Sequence, residues 1–338
     1  MNRRYARQAI LPWLGEAGQA RLGAATAAVV GLGALGCTSS SLLARAGVGR
    51  LLLVDRDFVE TSNLARQVLF TEADAAQRLP KAVAAEAHLR EARSDLATEI
   101  FVADLDAELA RHLFARCDLV LDGTDNFETR YLINDASVST GKPWGYAGAV
   151  STYGSVMLFR PGETACLRCL FPQAPAPGSA PTCDTAGVLG PAAAAVAAIQ
   201  AGEAIKLLAG RTDLCASGLL TLDLMTWTFG RAPALRDPDC PCCAERRFDF
   251  LDEHSGSRTY RLCGRDGIMV LAPKGTRLDL KTIEKRLSSM GPVFSNPYLL
   301  QTEWEGHPVT LYEDGRALIQ NTGDPARARI LYSKYLGM

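Results

Sequence analysis

The feature that most constrains this chain is a short apolar run, Ala25 to Val30. It ends in Gly31-Leu32-Gly33-Ala34-Leu35-Gly36 and passes into a stretch of helical composition that stops at Gly47. Gly31, Gly33 and Gly36 let the backbone turn sharply from strand to helix and approach a phosphate. The helix N-terminus behind them offers free amide donors and a positive dipole end. The residues that follow repeat the alternation. Leu51 to Val54 reads as a buried strand closed by Asp55, Lys81 to Arg93 as a helix, and Glu99 to Ala103 as a strand. Leu105 to Ala115 reads as a helix, and Leu119 to Leu121 as a strand closed by Asp122-Gly123-Thr124-Asp125-Asn126. Short apolar strands alternating with longer helices predict an α/β, Rossmann-like doubly wound sheet, parallel here and covered on both faces.

Residues 1–23 read as an amphipathic helical lead-in. After Trp144 the character changes: Ser155 to Phe159 is a strand, Phe171 to Pro181 a proline-rich loop, Ala192 to Leu208 a small-residue helix and Leu219 to Leu222 a strand. A polar stretch near Asp252–Ser257 reads as a linker. It divides a larger domain, 1–252, from a small α+β domain, 258–338, whose role no motif reveals. In the latter, strands are expected near 267–272, 297–304, 307–312 and 315–320, and helices near 279–290 and 325–336. Glu313-Asp314-Gly315 is expected as a hairpin turn.

Composition bounds the function classes. A net charge of −1 argues against a chain built to coat nucleic acid or an acidic membrane. The longest apolar stretch, Gly187 to Ile199, reaches Gln200 too soon to span a bilayer, and no signal core follows the N-terminus, so a cytoplasmic protein is expected. In that reducing setting the 10 cysteines point to metal binding or burial more than to disulfides. The 4 histidines fall in no recognisable motif, which argues against histidine-based catalysis.

The glycine loop alone does not choose between a nicotinamide dinucleotide and ATP, so an NAD-dependent dehydrogenase is the natural alternative. Asp55, at a strand end, can accept hydrogen bonds from ribose hydroxyls. Asn63, Arg66 and Gln67 follow the second strand, and Lys81 opens the next helix. Two cations and two amides beside a glycine-rich turn suit a triphosphate better than a diphosphate. Asp125 can hold Mg2+ through an oxygen ligand, with waters and phosphates completing the shell. A dehydrogenase leaves Arg66 and the cysteine pairs unexplained, and a non-catalytic nucleotide-binding scaffold has little use for a metal carboxylate.

Cys166-Leu167-Arg168-Cys169 and Cys240-Pro241-Cys242-Cys243 each contain a CxxC pair. Two such pairs suit a tetrahedral Zn2+ held by Cys166, Cys169, Cys240 and Cys243, a structural site with no open position. Cys242 offers a competing CxC pairing with Cys240. Cys183 stands apart, in a loop before the small-residue helix, where a thiol near a helix N-terminus can have a lowered pKa. An inert thiol is the competing reading.

Taken together, Arg4-Tyr5-Ala6-Arg7-Gln8, the glycine loop, Asp55, Ser62-Asn63-Leu64-Ala65-Arg66-Gln67, Pro80-Lys81-Ala82, Thr124-Asp125-Asn126, the two cysteine pairs and Cys183-Asp184-Thr185-Ala186-Gly187 resemble the ThiF/MoeB/HesA family, bacterial relatives of the ubiquitin-activating enzymes. These pieces occur in family order across roughly residues 4–245. The resemblance implies ATP-dependent adenylation of the C-terminus of a ubiquitin-like sulfur-carrier protein ending in Gly-Gly, serving thiamine, molybdopterin or tRNA thiolation. A sulfurtransferase or cysteine desulfurase would be the sulfur source. It implies that Asp55 binds ribose, that Asn63, Arg66 and Lys81 contact phosphates, that Asp125 and Asn126 belong to the metal and nucleotide site, and that Arg7 reaches the ATP of the neighbouring subunit in a homodimer. It also implies a covalent sulfur link for Cys183 in the ThiF-like branch and a dispensable cysteine in the MoeB-like branch. The chain departs from the family two residues before Pro80, where Arg78 stands in place of the usual glycine.

Overall fold

The computed structural model describes residues 3–173, 186–252, 259–261, 267–272 and 275–336. The chain divides into two compact units, Met1–Glu253 and His254–Met338.

The first unit is built on an eight-stranded sheet. Its strands are β1 (Thr26–Val30), β2 (Arg50–Val54), β3 (Ala97–Phe101), β4 (Leu119–Asp122), β5 (Trp144–Val150), β6 (Tyr153–Phe159), β7 (Leu219–Asp223) and β8 (Thr228–Ala232), in the order β3-β2-β1-β4-β5-β6-β7-β8. The strands are parallel from β3 to β5, and β6, β7 and β8 run antiparallel to their neighbours. The sheet is therefore mixed, because β5 turns straight back into β6 and a two-residue turn can join only antiparallel strands.

The central strands read as unbroken apolar runs because both faces are buried. Ala27, Val29, Leu51, Leu53, Leu119 and Leu121 face one layer with Leu43 and Ala44 of α2 (Ala34–Ala46) and Ala82, Ala85 and Leu89 of α3 (Lys81–Ala92). The alternate residues Ala28, Val30, Leu52, Val54 and Val120 pack against Ala110, Leu113 and Phe114 of α4 (Ala107–Arg116) and Tyr131, Ile133 and Ala136 of α5 (Phe127–Thr140). This is the period-2 rule of a strand applied to two helical layers at once. The lead-in is not one helix: Pro12 separates a short turn, Ala6–Ala9, from α1 (Gly15–Ala24).

Helix α6 (Gly190–Leu208) runs past Gln200 for two further turns, so it is the one described helix long and apolar enough to cross a membrane, with 50% of that stretch buried inside the protein. Its small residues pack against Leu35, Ala147, Val156 and Leu222. Gln200 is buried by bonding, its amide donating to the Asp122 and Gly145 carbonyls at 2.8 Å each and its oxygen accepting from Ser39 Oγ at 2.7 Å.

The second unit is an antiparallel six-stranded sheet of β9 (Thr259–Arg261), β10 (Gly267–Val270), β11 (Phe294–Ser295), β12 (Leu299–Trp304), β13 (His307–Tyr312) and β14 (Ala317–Gln320), in the order β11-β12-β13-β14-β10-β9. Helices α7 (Leu280–Leu287) and α8 (Pro325–Leu336) bury Leu280, Ile283, Leu287, Ala328 and Leu331 against Ile268, Leu300, Leu311 and Ile319. At the β13–β14 hairpin Gly315 takes φ +85°, and its N–H donates to the Tyr312 carbonyl at 3.0 Å.

Candidate nucleotide site and cysteine cluster

Strand order reverses between β1 and β4: the chain steps outward through β2 and β3, then returns to the other side of β1. In an open α/β sheet, ligands bind at the strand ends beside such a reversal. The loops that leave β1 and β4 meet there backbone to backbone. The Gly31 N–H donates to the Val54 carbonyl at 2.8 Å, and the Gly123 N–H to the Val30 carbonyl at 2.7 Å. Gly31 has φ +86°, and a Cβ on it would lie 2.8 Å from the Gly123 carbonyl carbon. A Cβ on Gly36 would sit 1.8 Å from the Gly31 oxygen, so that glycine serves the packing of helix on loop. At Gly33 the nearest atom to a Cβ would be the Gly123 oxygen at 3.7 Å, and Gly33 is also the N-cap of α2 with no side-chain bond to the first helical amides.

Asp55 is buried, and both carboxylate oxygens accept backbone bonds: Oδ2 from the Leu32 N–H of the glycine loop at 2.6 Å, Oδ1 from the Asp57 N–H at 2.7 Å. It thereby shapes the loop. Burial pushes its carboxyl above the usual range, against the opposing pull of the Lys81 ammonium. Lys81 opens α3, is itself buried, and its ammonium lies 3.2 Å from Asp57 Oδ2. Asp57, which the sequence reading did not single out, is thus the carboxylate that holds this cation.

Asn63 is buried and its Oδ1 accepts from the Glu60 N–H at 3.1 Å. Gln67 is buried, and its Oε1 has no hydrogen-bond partner among the described residues. Arg66 is partly exposed, and its guanidinium donates to the Ser62 carbonyl at 2.9 Å. The backbone of Ala65 and Arg66 abuts the start of α6, where a Cβ on Gly190 would lie 2.9 Å from the Ala65 oxygen. Arg78, at the family's glycine position, adopts φ +48°. The departure therefore keeps the left-handed backbone a glycine would take freely. Behind this segment His88 Nε2 lies 2.8 Å from Asp74 Oδ2, tying α3 to the short helix Glu72–Ala76.

On the β4 side, Asp125 is exposed and accepts no hydrogen bond from a described residue, although the Arg130 guanidinium is near enough for the two charges to attract; Asn126 Oδ1 caps α5 by accepting from the Thr129 N–H at 2.8 Å. Beneath them lies a fully buried Asp122, bonded to Arg130 Nε at 2.8 Å. Burial works against both charges. For Arg130 the Asp122 carboxylate outweighs it and raises the guanidinium pKa. Periodicity could not reveal this pair, since a buried ion pair looks like two surface charges in a sequence. The start of α5 did carry a signal, Asn126 as N-cap with Glu128 in the first turn.

The four cysteines of the two CxxC pairs converge, their sulfurs all within 4.8 Å of one another. Cys166 and Cys240 are 3.6 Å apart, Cys169 and Cys243 3.4 Å, and Cys166 and Cys169 3.9 Å. Cys242 lies outside the group, buried, with its sulfur accepting from Asn134 Nδ2 at 3.3 Å. The same Asn134 accepts from the Leu167 N–H at 2.8 Å, so one residue of α5 braces both arms. Cys37 and Cys117 are buried thiols, each pushed up to about 12 by burial.

Arg7 is exposed and has no bond to another described residue, and it lies on the lead-in rather than in the crevice. Cys183 falls outside the described residues.

The chain matches the ThiF family over residues 5–242. It is 40% identical over 342 residues to the sulfur carrier protein ThiS adenylyltransferase of Bacillus subtilis, with 100% of both chains covered. It is 42% identical over 247 residues to the sulfur carrier protein adenylyltransferase of Thermus thermophilus, covering 72% of this chain and 90% of that one. Among solved structures, E. coli MccB with ATP superposes with a TM-score of 0.62 at 23% identity, over 72% of this chain and 75% of that one, a likeness of fold. The dehydrogenase alternative finds no support in these relatives. The chain belongs to the ThiF family.

Proposed function

We infer that this chain is an ATP-dependent adenylyltransferase that joins AMP to the C-terminal glycine of a ubiquitin-like sulfur-carrier protein of the ThiS type. The observation that carries the reading is the convergence of the glycine loop, the Asp55–Asp57–Lys81 group and the exposed Asp125 on one strand-order reversal. The full-length relative from Bacillus subtilis, whose name states this activity, supports it. In the reaction a carrier carboxylate oxygen attacks the α-phosphorus of ATP, the bond from that phosphorus to the bridging oxygen breaks, and pyrophosphate leaves with the electron pair. No enzyme nucleophile is needed. The protein's part is orientation and neutralisation of charge.

Within that reading the uncapped start of α2 and the glycine loop receive phosphate, and Asp55 stands at the ribose. Lys81 exchanges Asp57 for a phosphate oxygen, and Asn63, Arg66 and Gln67 line the same strand end. Asp125, an exposed hard oxygen donor that accepts no hydrogen bond from a described residue, fits Mg2+, with Asn126 beside it; when bound the ion would supply charge neutralisation at the phosphates. Arg7, free on the lead-in, acts on the neighbouring subunit's ATP in a homodimer. Cys183 takes the sulfur step from a sulfurtransferase or cysteine desulfurase. The site of this work is the cytoplasm.

The cysteine cluster holds Zn2+ as a structural ion. Four thiolates around zinc at ~2.3 Å would stand about 3.8 Å apart, and the spacings of 3.4, 3.6 and 3.9 Å bracket that value. The test of the catalytic reading is ATP–pyrophosphate exchange in the presence of a carrier ending in Gly-Gly. Exchange is expected with the wild type and is expected to fall at least about tenfold in Asp125→Ala. Near-normal exchange in that variant would remove Asp125 from the site.

A further inference from the structure

Arg130 is buried at the strand-order reversal, where it makes three hydrogen bonds. Only 6% of it is exposed. Its Nε donates to Asp122 Oδ2 at 2.8 Å, and its Nη2 donates to the Thr124 carbonyl at 2.7 Å and the Ala147 carbonyl at 3.1 Å. The guanidinium lies 5.3 Å from the Phe127 ring centre and 5.1 Å from that of Tyr146. The other Asp122 oxygen accepts from the Thr124 N–H at 2.8 Å and the Thr124 hydroxyl at 2.6 Å. Thr124, the residue before Asp125, is therefore fixed at its amide, its hydroxyl and its carbonyl. On the far side Asn126 is fixed as the cap of α5. Asp125 is held between two immobilised neighbours, and its own carboxylate alone is left to the solvent.

We propose that Arg130 is a positioning residue for the adenylation reaction: through Thr124 it fixes the place and direction of the Asp125 carboxylate, without touching substrate. The inference rests on the reading of Asp125 as the metal carboxylate. Two physical arguments carry it. A buried ion pair is a poor source of net stability, since desolvation consumes most of the attraction, so stability alone does not account for the pair. The fork geometry of a guanidinium also lets one side chain join three separate pieces of backbone and side chain: the end of β4, the loop after it, and β5. A carboxylate that meets a metal–phosphate group must be held to a fraction of an ångström to be effective, which is what such a fork supplies.

The test compares wild type, Arg130→Lys and Asp125→Ala. Arg130→Lys keeps the charge but can satisfy only part of the acceptor set. If that variant does not fold, the double variant Asp122→Asn with Arg130→Gln, which removes both charges together, takes its place. Three quantities are measured: calorimetric affinity for ATP with Mg2+ and with chelator, hydrogen exchange at the amides of residues 124–126, and kcat and KM in carrier-dependent exchange. The expected result is faster amide exchange confined to that loop, a kcat lower by about tenfold or more, and a Mg2+ half-saturation raised severalfold, with metal-free ATP affinity within about twofold of wild type. Unchanged kcat and Mg2+ dependence in a folded variant would overturn the proposal. So would an equal loss of metal-free ATP affinity, which marks a merely structural role. If Asp125→Ala retains exchange, the reading of Asp125 fails and this proposal with it; if Asp125→Ala loses exchange and Arg130→Lys does not, only the proposal fails.

Discussion

Cys240→Ser tests the cysteine cluster. The cluster joins two segments far apart in the chain, Cys166 and Cys240 being separated by 74 positions. Treated as a cross-link, a closure of that size removes about 4–5 kcal/mol of conformational freedom from the unfolded chain. A metal delivers this only while its ligands hold it, and binding free energy is folding free energy for such a site. Replacing one thiolate by a hydroxyl is therefore expected to cost about 2–4 kcal/mol and to lower the melting temperature by roughly 5–15 °C for a unit of this size. Cys242→Ser is the matched control. Cys242 is not one of the four clustered cysteines; it bonds to Asn134 and also lies beside Asp135 and Cys166, so its loss is expected to cost about 1–2 kcal/mol while leaving the four ligands in place. Metal analysis and thermal melting are run on both variants beside the wild type, which is expected to contain about one zinc per chain. Full zinc content with unchanged melting in Cys240→Ser would refute the reasoning, and so would zinc loss in Cys242→Ser as great as in Cys240→Ser.

Arg78→Gly places glycine where Arg78 now holds φ +48°. Since Arg78→Gly and Arg78→Ala both remove the side chain and only glycine takes that backbone freely, Arg78→Gly is expected to be more stable than Arg78→Ala by about 1 kcal/mol in denaturant melts, and equal stabilities would contradict it. At His88, burial lowers the pKa, but the bonds to Asp74 and Glu91 outweigh it and leave it raised. At Asp74, burial raises the pKa, but the bonds from His88 and Thr71 leave it lowered. The histidine's contribution is complete below 6.5 and fades as pH rises through its raised value; the aspartate's is complete above 3.8 and fades as pH falls through its lowered value. The destabilisation caused by His88→Gln is therefore expected to be largest between pH 3.8 and 6.5 and to shrink above it, and a pH-independent cost would contradict this. Cys183→Ala is expected to leave carrier-dependent pyrophosphate exchange almost intact while abolishing a reducible adduct with the carrier, and full thiocarboxylate yield in that variant would show that sulfur arrives by another route.

The glycine loop was legible because strand, turn and helix each leave a local mark: apolar residues buried on both faces, glycines at fixed offsets, then helix formers. The cysteine pairs were legible for a similar reason, since metal-ligand spacing is local even when the two pairs are far apart. Strand β5 was not, because Trp144 to Val150 contains Gly145 and Gly148 and lacks the apolar density of its neighbours. A Cβ on Gly145 would lie 2.7 Å from Leu121 Cδ2, so its composition answers to packing and not to strand preference. The supports of the site were the least legible. That Asp57 holds Lys81, that Asp122 and Arg130 pin Thr124, and that Asn134 braces both cysteine arms depend on contacts between distant segments, and each of these side chains would look equally at home on a solvated surface. Arg78 is an intermediate case: the departure from glycine was visible, but the retained left-handed backbone was not.

The central claim is that this chain activates a carboxylate as a mixed anhydride with AMP, and that species can be detected directly. The protein is incubated with ATP, Mg2+ and a ThiS-type carrier ending in Gly-Gly, and the carrier is then examined by mass spectrometry, with hydroxylamine added to a parallel sample. The account predicts carrier bearing one AMP at its C-terminal glycine, converted by hydroxylamine to the hydroxamate, with equimolar pyrophosphate released and no product when the carrier lacks its last glycine. Intact carrier at full turnover of ATP, or release of ADP and phosphate in place of pyrophosphate, would contradict it.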